Sequence, residues 1–346
     1  MKKNIFLTFI SLVLILSLCE GIFRLIAPKS PFGTTYGKIV YKNSDGFRDR
    51  EFVIPKPADV FRITILGDSF TWGIGLDLSE TAPKQLEKLL AREWTHKRIE
   101  VMNASIPGYN TVDEFLLLKQ KGIKYSPDIV VLIYNLNDID YTQSLSGKSY
   151  DSKGAAINKF SKKKGVRAFV RWFEVRSKLA AFLVPRVGYS LHRIGLIKSA
   201  EFSFVEKMFQ GYEDTNPGWL ESKYALKAMA ELCKKNNIVF VVSVYPLLVE
   251  LDDYQGTRAH TVIRNYCHSI DVPVIDLLEV FKNRSGRSYW INFMDGHPNE
   301  KAHAMAAKAL AVFLINRINR TASHGEMLAS PAPGVVGRSG LPLRKN

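Results

Sequence analysis

The stretch from Ile63 to Gly73 constrains the fold of this chain more than any other. It opens as a run of apolar and β-branched residues, which is typical of a strand buried on both faces of a parallel sheet. The run ends abruptly in Gly67-Asp68-Ser69, where glycine lets the backbone turn without a Cβ clash. Open α/β sheets keep their chemistry at the carboxyl ends of strands, so Ser69 is a candidate functional residue. A serine in a turn is more often only a turn or cap residue, so a functional role for Ser69 depends on which residues accompany it elsewhere in the chain.

Strand-like and helix-like segments alternate along the rest of the chain. Apolar runs predict strands at Phe61–Leu66, Arg98–Met102, Asp128–Tyr134, Ile238–Tyr245 and Val272–Asp276. Helical spacing predicts helices at Glu80–Trp94, Val112–Gly122, Trp219–Asn236, Tyr254–Ser269 and Asn299–Ile318. This alternation indicates βαβ units with right-handed crossovers. The sequence therefore predicts an α/β domain with a central parallel sheet over residues 61–320.

The N-terminus predicts a membrane anchor. Within residues 1–26, two lysines precede an apolar stretch, Ile5–Ile26, whose only charged residues are Glu20 and Arg24. A stretch of about 20 apolar residues crosses a bilayer, and charges four residues apart can pair near its interface. Lysines favour the cytoplasmic side, so the body of the chain is expected outside a bacterial cytoplasmic membrane.

Three other interpretations of this segment stay open at this level. A cleaved signal peptide is disfavoured because no A-x-A-like site follows the apolar stretch. A lipoprotein signal uses Cys19, but Leu18 stands where a small residue is expected. The last alternative is a buried amphipathic helix of a cytosolic protein.

The net charge of +15 permits nucleic acid, anionic lipid or acidic glycan as a partner. Basic residues crowd residues 141–200, where Asp151 and Glu174 are the only acidic residues. Aromatic residues such as Trp172 lie among them, which predicts a basic, amphipathic helical insertion. Its role stays open between contact with an anionic membrane surface and a solvated lid over the sheet. An exported domain seldom meets nucleic acid, so a nucleic-acid partner is not expected.

The segments that flank the domain lack its periodicity. Residues 27–60 are rich in proline, glycine and charge, which predicts a linker, and the composition of residues 321–346 predicts a disordered tail. The three cysteines, Cys19, Cys233 and Cys267, have neither metal-ligand spacing nor a C-x-x-C motif. The sequence leaves the redox state of Cys233 and Cys267 open.

Four polar blocks lie beside the ends of predicted elements. They are Gly67-Asp68-Ser69-Phe70, Asn103–Gly108, Asn135–Asp138 and Asp295–Asn299. The carboxyl ends of parallel strands meet at one edge of a sheet, so residues far apart in the chain can converge there. The sequence therefore predicts one composite site at this edge.

Ester cleavage needs the residue types that these blocks contain. The hydroxyl of Ser69 is a weak nucleophile and requires a base, which His297 can provide because imidazole titrates near neutral pH. Asp295 can orient the imidazole and stabilise its protonated form. The oxyanion that develops needs preorganised donors. The candidates are the backbone N–H groups of Ser69 and Gly108 and the side-chain amide of Asn137.

With these blocks in this order, the chain resembles the SGNH (GDSL) hydrolase superfamily over residues 40–320, outside the insertion. The four signature residues of that superfamily correspond to Ser69, Gly108, Asn137 and His297. The resemblance implies a flavodoxin-like, three-layer α/β/α sandwich around about five parallel strands. It also implies ester hydrolysis or acyl transfer with no cofactor and no metal.

Three positions depart from the usual pattern of that superfamily. Ser105 and Asn135 stand where glycine is usual, which alters the floor of the pocket without removing a reacting atom. Asp295 lies two residues before His297, where a spacing of three is common. A Ser–His dyad with a backbone carbonyl behind the histidine therefore stays an alternative to the triad.

We therefore expect a membrane-anchored serine esterase or acyltransferase of the bacterial envelope. The expected substrate is O-acylated or O-acetylated carbohydrate, with lipid esters as an alternative, and either water or a sugar accepts the acyl group. A non-catalytic envelope module with the same fold is the second class, although it has no need of all four signature residues. Beside the site, Tyr245 either lines the pocket or packs there, and His303 is expected to be a surface or packing residue.

Overall fold

The computed structural model describes residues 2–26, 40–139, 149–150, 156–157, 177, 179–180, 183, 187, 202–292 and 295–323. Most of the predicted insertion at 141–200 and of the predicted tail at 321–346 lies outside the described residues. Ser149–Tyr150 (β4) and Ala156–Ile157 (β5) form a short antiparallel pair.

The domain contains the predicted strands and helices, with shifts of a few residues at their ends. The other strands are β1 Val60–Leu66, β2 Arg98–Asn103, β3 Ile129–Asn135, β6 Val239–Tyr245, β7 Val274–Asp276, β8 Trp290–Asn292 and β9 Asp295–Pro298. The helices are α1 Lys2–Ile26, α2 Ser69–Trp72, α3 Ala82–Glu93, α4 Thr111–Gln120, α5 Phe202–Gln210, α6 Pro217–Lys235, α7 Thr257–Ser269, α8 Leu278–Phe281 and α9 Glu300–Ser323. Short 3-10 turns occur at Leu78–Glu80, Gly122–Tyr125, Leu136–Ile139 and Gly286–Tyr289.

Five strands form one parallel sheet in the order β2-β1-β3-β6-β7, which confirms the predicted α/β class. Ile63 of β1 lies opposite Val101 of β2 on one side and Ile129 of β3 on the other. The chain runs outward from β1 to β2 and then returns to the other side of β1 to form β3. Ligands of open α/β sheets bind where the strand order reverses in this way, beyond the carboxyl ends of the strands.

Successive side chains of the sheet face two separate apolar cores, because strand residues alternate between faces. In β3, Val130 and Leu132 belong to the core completed by α4, α6 and α7. Val131 and Ile133 belong to the core completed by α3 and α9. Every residue of β3 is buried, which explains its unbroken apolar run. The result is a three-layer arrangement with helices on both faces of the sheet.

The segment 43–52, which falls in the predicted linker, packs against the domain. Phe47 and Phe52 are buried in the core that α4 and α6 also line. Asp49 is buried and pairs with the Nζ atom of Lys84 at 3.1 Å. Residues 43–52 are therefore packed on the domain and do not form a free linker. The sequence does not reveal this, because the partners of these residues lie far away along the chain and leave no local pattern.

The N-terminal residues Lys2–Ile26 form the single helix α1. Among the residues that the structure describes, no helix is long and apolar enough to cross a membrane, so the predicted membrane-spanning segment is not found. The carboxylate of Glu20 pairs with Arg24 at 2.7 Å and accepts hydrogen bonds from the Ser177 hydroxyl and the Leu179 backbone N–H.

Truncation tests the packing of the segment 43–52. Deleting residues 1–39 should leave the cooperative unfolding of the domain largely unchanged. Deleting residues 1–55 should lower the free energy of unfolding by about 3–5 kcal/mol or more, because the burial of Phe47 is lost. Denaturant unfolding followed by circular dichroism measures both, with Phe47→Ala in the full chain as the matched point variant. Equal unfolding midpoints for the two truncations contradict this packing.

Candidate active site

Ser69 begins a helix immediately beyond the carboxyl end of β1. Strand β1 ends at Leu66, and α2 runs from Ser69 to Trp72. Gly67 is required at the turn, because a Cβ atom there collides with the Thr71 hydroxyl. Asp68 caps α2 by accepting a hydrogen bond of 2.9 Å from the backbone N–H of Phe70. The turn therefore fixes the Ser69 side chain at the edge of the sheet where the strand order reverses.

Asp295 and His297 lie together on a short antiparallel hairpin that precedes α9. Strand β9 pairs with β8, and side chains two residues apart in a strand project from the same face. The Oδ1 atom of Asp295 accepts from the backbone N–H of His297 at 3.0 Å and contacts its ring Nδ1 at 2.5 Å. The spacing of two residues is therefore sufficient for a carboxylate to hold the imidazole, and the group behind Nδ1 is this carboxylate.

The structure brings Ser69, His297 and Asp295 into one hydrogen-bonded series. The Ser69 Oγ atom lies 2.9 Å from Nε2 of His297. When the Nδ1–H group donates a hydrogen bond to the carboxylate, Nε2 has a free lone pair and accepts the hydrogen bond of the serine hydroxyl. His297 and Asp295 are partly exposed, so a substrate can reach the series. This geometry can deprotonate a serine during attack on an ester.

The candidate oxyanion donors lie at the same edge. Gly108 has a φ angle of +81° in the turn after β2, a conformation that favours glycine. Asn137 lies in the 3-10 turn after β3, and its Nδ2 atom donates to Asp68 at 3.2 Å. An amide nitrogen carries two hydrogens, so the second remains for a ligand. Asp68 therefore connects the turn that holds Ser69 to the side chain of Asn137.

The two residues that replace glycine are buried beside the site. Ser105 donates its hydroxyl hydrogen bond to the side-chain oxygen of Asn103. The side chain of Asn135 donates to Asp68 at 3.5 Å. Ser105 and Asn135 therefore belong to the buried hydrogen-bond network beneath the site and do not face solvent.

Arg48, which the sequence analysis left in a linker, holds the far end of α2. Its guanidinium group is buried and donates to the carbonyl oxygens of Trp72 at 2.7 Å, Gly73 at 2.6 Å and Leu76 at 2.5 Å. These carbonyls follow the last turn of α2 and have no further helix to accept from. Arg48 therefore fixes the short helix whose first residue is Ser69. A single buried arginine in a polar segment gives no signal in the sequence.

A second histidine–aspartate pair, which is buried, supports the loop after β6. Nδ1 of His260 lies 2.7 Å from Oδ1 of Asp276, and its Nε2 lies 3.2 Å from the hydroxyl of Tyr254. That hydroxyl accepts the backbone N–H of Leu247 at 3.1 Å. His260 is almost fully buried, which separates it from the exposed edge and gives it a structural role.

Four acidic side chains are buried behind the oxyanion donors. They are Asp68, Asp113, Glu114 and Asp138. Both carboxyl oxygens of Glu114 lack a hydrogen-bond partner. Burial raises the pKa of Glu114 well above its ordinary value, and the neighbouring charges of Asp138, Asp68 and Asp113 raise it further. Burial also raises the pKa of Asp138, so the protonated forms of these two groups are favoured.

The described residues contain no group of three or more histidine, cysteine or acidic side chains arranged to hold a metal ion. Cys233 and Cys267 are buried free thiols, and burial raises the pKa of each to about 12. Cys19 is also a free thiol.

Comparison with known proteins finds one matching family and several solved structures. The model of the GDSL-like Lipase/Acylhydrolase family matches residues 65–305. The esterase EstA from Pseudoalteromonas sp. is 15% identical, with a TM-score of 0.42 over 75% of this chain and 98% of that chain. A catalytic mutant of the acetylxylan esterase Axe2 from Geobacillus stearothermophilus is 13% identical, with a TM-score of 0.41 over 72% of this chain and 92% of that chain.

A curated relative from Mycoplasma pneumoniae, itself an uncharacterized protein, is 35% identical over 82 residues. The match covers 24% of this chain and 9% of the length of that relative.

Variants of Asp295 and His297 test the hydrogen-bonded series. Asp295→Asn should lower kcat for a short acyl ester on the order of 10²- to 10⁴-fold, because the amide favours the wrong imidazole tautomer. His297→Ala should be at least as severe, and the double variant little worse, because such residues act as a unit. Steady-state kinetics on purified proteins measure all three. A loss of less than about tenfold for Asp295→Asn beside a nearly inactive His297→Ala leaves only a Ser–His dyad.

Glu114→Gln tests the buried acidic group through the pH dependence of stability. A raised folded-state pKa stabilises the fold below the ordinary pKa of glutamate, and this contribution is lost as pH rises through the folded-state value. The amide side chain of the variant cannot titrate, so the free energy of unfolding of the wild type should fall relative to that of the variant as pH rises. Urea unfolding between about pH 4 and pH 8 measures the difference. The exposed Glu213→Gln is the control, and parallel curves for wild type and Glu114→Gln contradict the interpretation.

Proposed function

The chain belongs to the GDSL-like lipase/acylhydrolase family, and from this premise we propose that it is a serine esterase that acts through a covalent acyl-enzyme. The observation that carries the proposal is the 2.9 Å contact between Ser69 Oγ and His297 Nε2, with the Asp295 carboxylate behind the ring. A nucleophile, a base and an orienting acid in this order are what acyl transfer requires.

In the first step, Ser69 Oγ forms a bond to the acyl carbon while its proton moves to His297 Nε2. The tetrahedral intermediate then expels the alcohol, which takes that proton, and the acyl group stays on Ser69. In the second step, water attacks the acyl carbon and gives its proton to His297. The acid leaves and Ser69 recovers its proton. If a sugar hydroxyl replaces water, the same steps give acyl transfer.

The oxyanion of each tetrahedral intermediate accepts from the backbone N–H groups of Ser69 and Gly108 and from the amide of Asn137. The support for Asn137 is its hydrogen bond to Asp68, which fixes the amide before substrate arrives. Because Glu114 and Asp138 favour their protonated forms, they add no negative charge near the oxyanion.

The proposed substrate is O-acylated carbohydrate, with O-acetyl groups as the first choice. The support is the partly exposed hairpin that carries His297. The indole N–H of Trp290 donates to the carbonyl of Leu248 at 2.6 Å, and its ring lies against Gly296. Trp290 is partly exposed on the strand that pairs with the strand of His297, and an indole fixed there could present an apolar face to a sugar ring.

Lipid esters are the second candidate substrate. The observation that favours them is the number of exposed large apolar side chains on α1, Leu14 and Leu18 among them. Such a helix has affinity for a lipid interface and would bring the domain to lipid esters. A non-catalytic module with the same fold is the remaining alternative, and ester turnover decides against it.

We also propose that α1 attaches the protein to a bacterial cytoplasmic membrane. This proposal is supported by two lysines, Lys2 and Lys3, that precede the exposed apolar side chains of the helix. Placement of the catalytic domain on the extracytoplasmic side stays a prediction from the sequence.

Ser69→Ala tests the nucleophile and the substrate class together. The wild type should release acetate from acetylated polysaccharide faster than it releases fatty acid from a lysophospholipid. Ser69→Ala should lose at least about 10³-fold in kcat on both, because only the attacking hydroxyl is removed. Enzymatic assay of the released acid measures this, and unchanged circular dichroism controls for folding. A variant that keeps a tenth of the rate excludes Ser69 as the nucleophile, and faster release of fatty acid favours the lipid alternative.

Cell fractionation tests the membrane attachment. The full chain should sediment with the membranes after a carbonate wash, whereas a chain that begins at residue 40 should stay in the supernatant. N-terminal sequencing of the membrane-bound form should start at the initiator end. A start beyond residue 19 identifies a cleaved signal, and a lipid on Cys19 identifies a lipoprotein.

A further inference from the structure

A small cavity lies directly behind the helix that begins with Ser69. It lies between one face of the sheet, α2, α3 and α9, and most of its lining is apolar. Ile65 and Ile133 of the sheet, Leu86 of α3 and Leu310 of α9 contribute to its walls. The space has room for about one water molecule.

Three side-chain polar atoms of residues in this apolar lining have no hydrogen-bond partner within the protein. They are the Oγ1 atom of Thr71, the hydroxyl of Tyr245 and Nε2 of His303. Each residue is nearly inaccessible, with exposed fractions of 2%, 3% and 2%. Buried polar groups in folded proteins nearly always have a partner, in the protein or in ordered water. Three such groups around one cavity therefore point to a shared partner inside it.

The protonation state of His303 determines whether this partner must accept or donate a hydrogen bond at Nε2. Its Nδ1 atom accepts a hydrogen bond of 2.9 Å from the backbone N–H of Ala82, so Nδ1 carries no proton. Burial, together with the nearby positive charge of Arg48, lowers the pKa of His303 to about 3. The imidazole is therefore neutral with its proton on Nε2, and His303 is one of the residues that line the cavity. The two hydroxyl groups can each donate or accept.

We propose that this cavity is a binding site for a single structural water molecule. The water accepts the Nε2–H hydrogen bond of His303 and makes one hydrogen bond each with the hydroxyls of Thr71 and Tyr245. Three partners lie within the two to four that buried waters usually have. A purely apolar occupant leaves all three polar groups unpaired, which disfavours an acyl chain at this position.

The water connects three elements that meet at the candidate active site. Thr71 lies two residues after Ser69 on α2, and His303 lies six residues after His297 on α9. Tyr245 is the last residue of β6, and its ring contacts Phe70, which in turn contacts the ring of His297. One solvent molecule thus links the helix of the proposed nucleophile to the helix that follows the proposed base. The site does not depend on the proposed esterase function.

A crystal structure of the full chain at about 1.5 Å or better tests the proposal. We expect one water peak within hydrogen-bonding distance of all three polar atoms. In the double variant Thr71→Val/Tyr245→Phe two of the three partners are lost, so the water peak should disappear. The matched control Tyr134→Phe removes a buried hydroxyl that does not line the cavity and should leave the water in place.

A wild-type cavity with no water peak overturns the proposal. So does a direct hydrogen bond between two of the three side chains with no water peak between them. The wild-type structure decides the question even if the double variant fails to fold.

Discussion

Strands β1 and β3 are buried on both faces and pair in parallel, with Ile63 opposite Ile129 and Leu66 opposite Leu132. Two-sided burial fixes this register, because a slip of one residue would exchange the side chains of the two cores. With the register fixed, the turns after the two strands begin at neighbouring levels of the same edge. The hydrogen bond between Asp68 and Asn137 then joins these two turns.

Elements with a local signal are the ones that the sequence predicts correctly. The apolar runs of β1 and β3 and the helical spacing of α6 are visible without any knowledge of their partners. The hairpin of β8 and β9 has no such signal. Its strands are very short, and hydrogen bonds to other parts of the chain hold it. The Trp290 indole N–H donates to the carbonyl of Leu248, and the Asn299 amide donates to the carbonyls of Ser288 and Trp290. Tertiary contacts of this kind cannot be read from one segment.

The residues of the candidate site also fall into those that the sequence predicts and those that it does not. The sequence identifies Ser69, His297 and Asp295 because their chemistry is recognisable, and the structure places them within hydrogen-bonding distance. Their catalytic roles and the substrate stay predictions. Arg48 was missed because its three partners are backbone carbonyls, which have no residue identity.

Arg48 also makes the site depend on a part of the chain outside the βαβ pattern. It lies in the segment 43–52, which has no regular secondary structure and is held by contacts that include buried Phe47 and Phe52 and the pair of Asp49 with Lys84. Segments of this kind open locally at a lower free energy than the central strands of a sheet. Each opening removes the donors from the end of α2 while the parallel sheet stays paired. The position of the Ser69 hydroxyl therefore depends on whether this segment is docked, and not only on whether the sheet is folded.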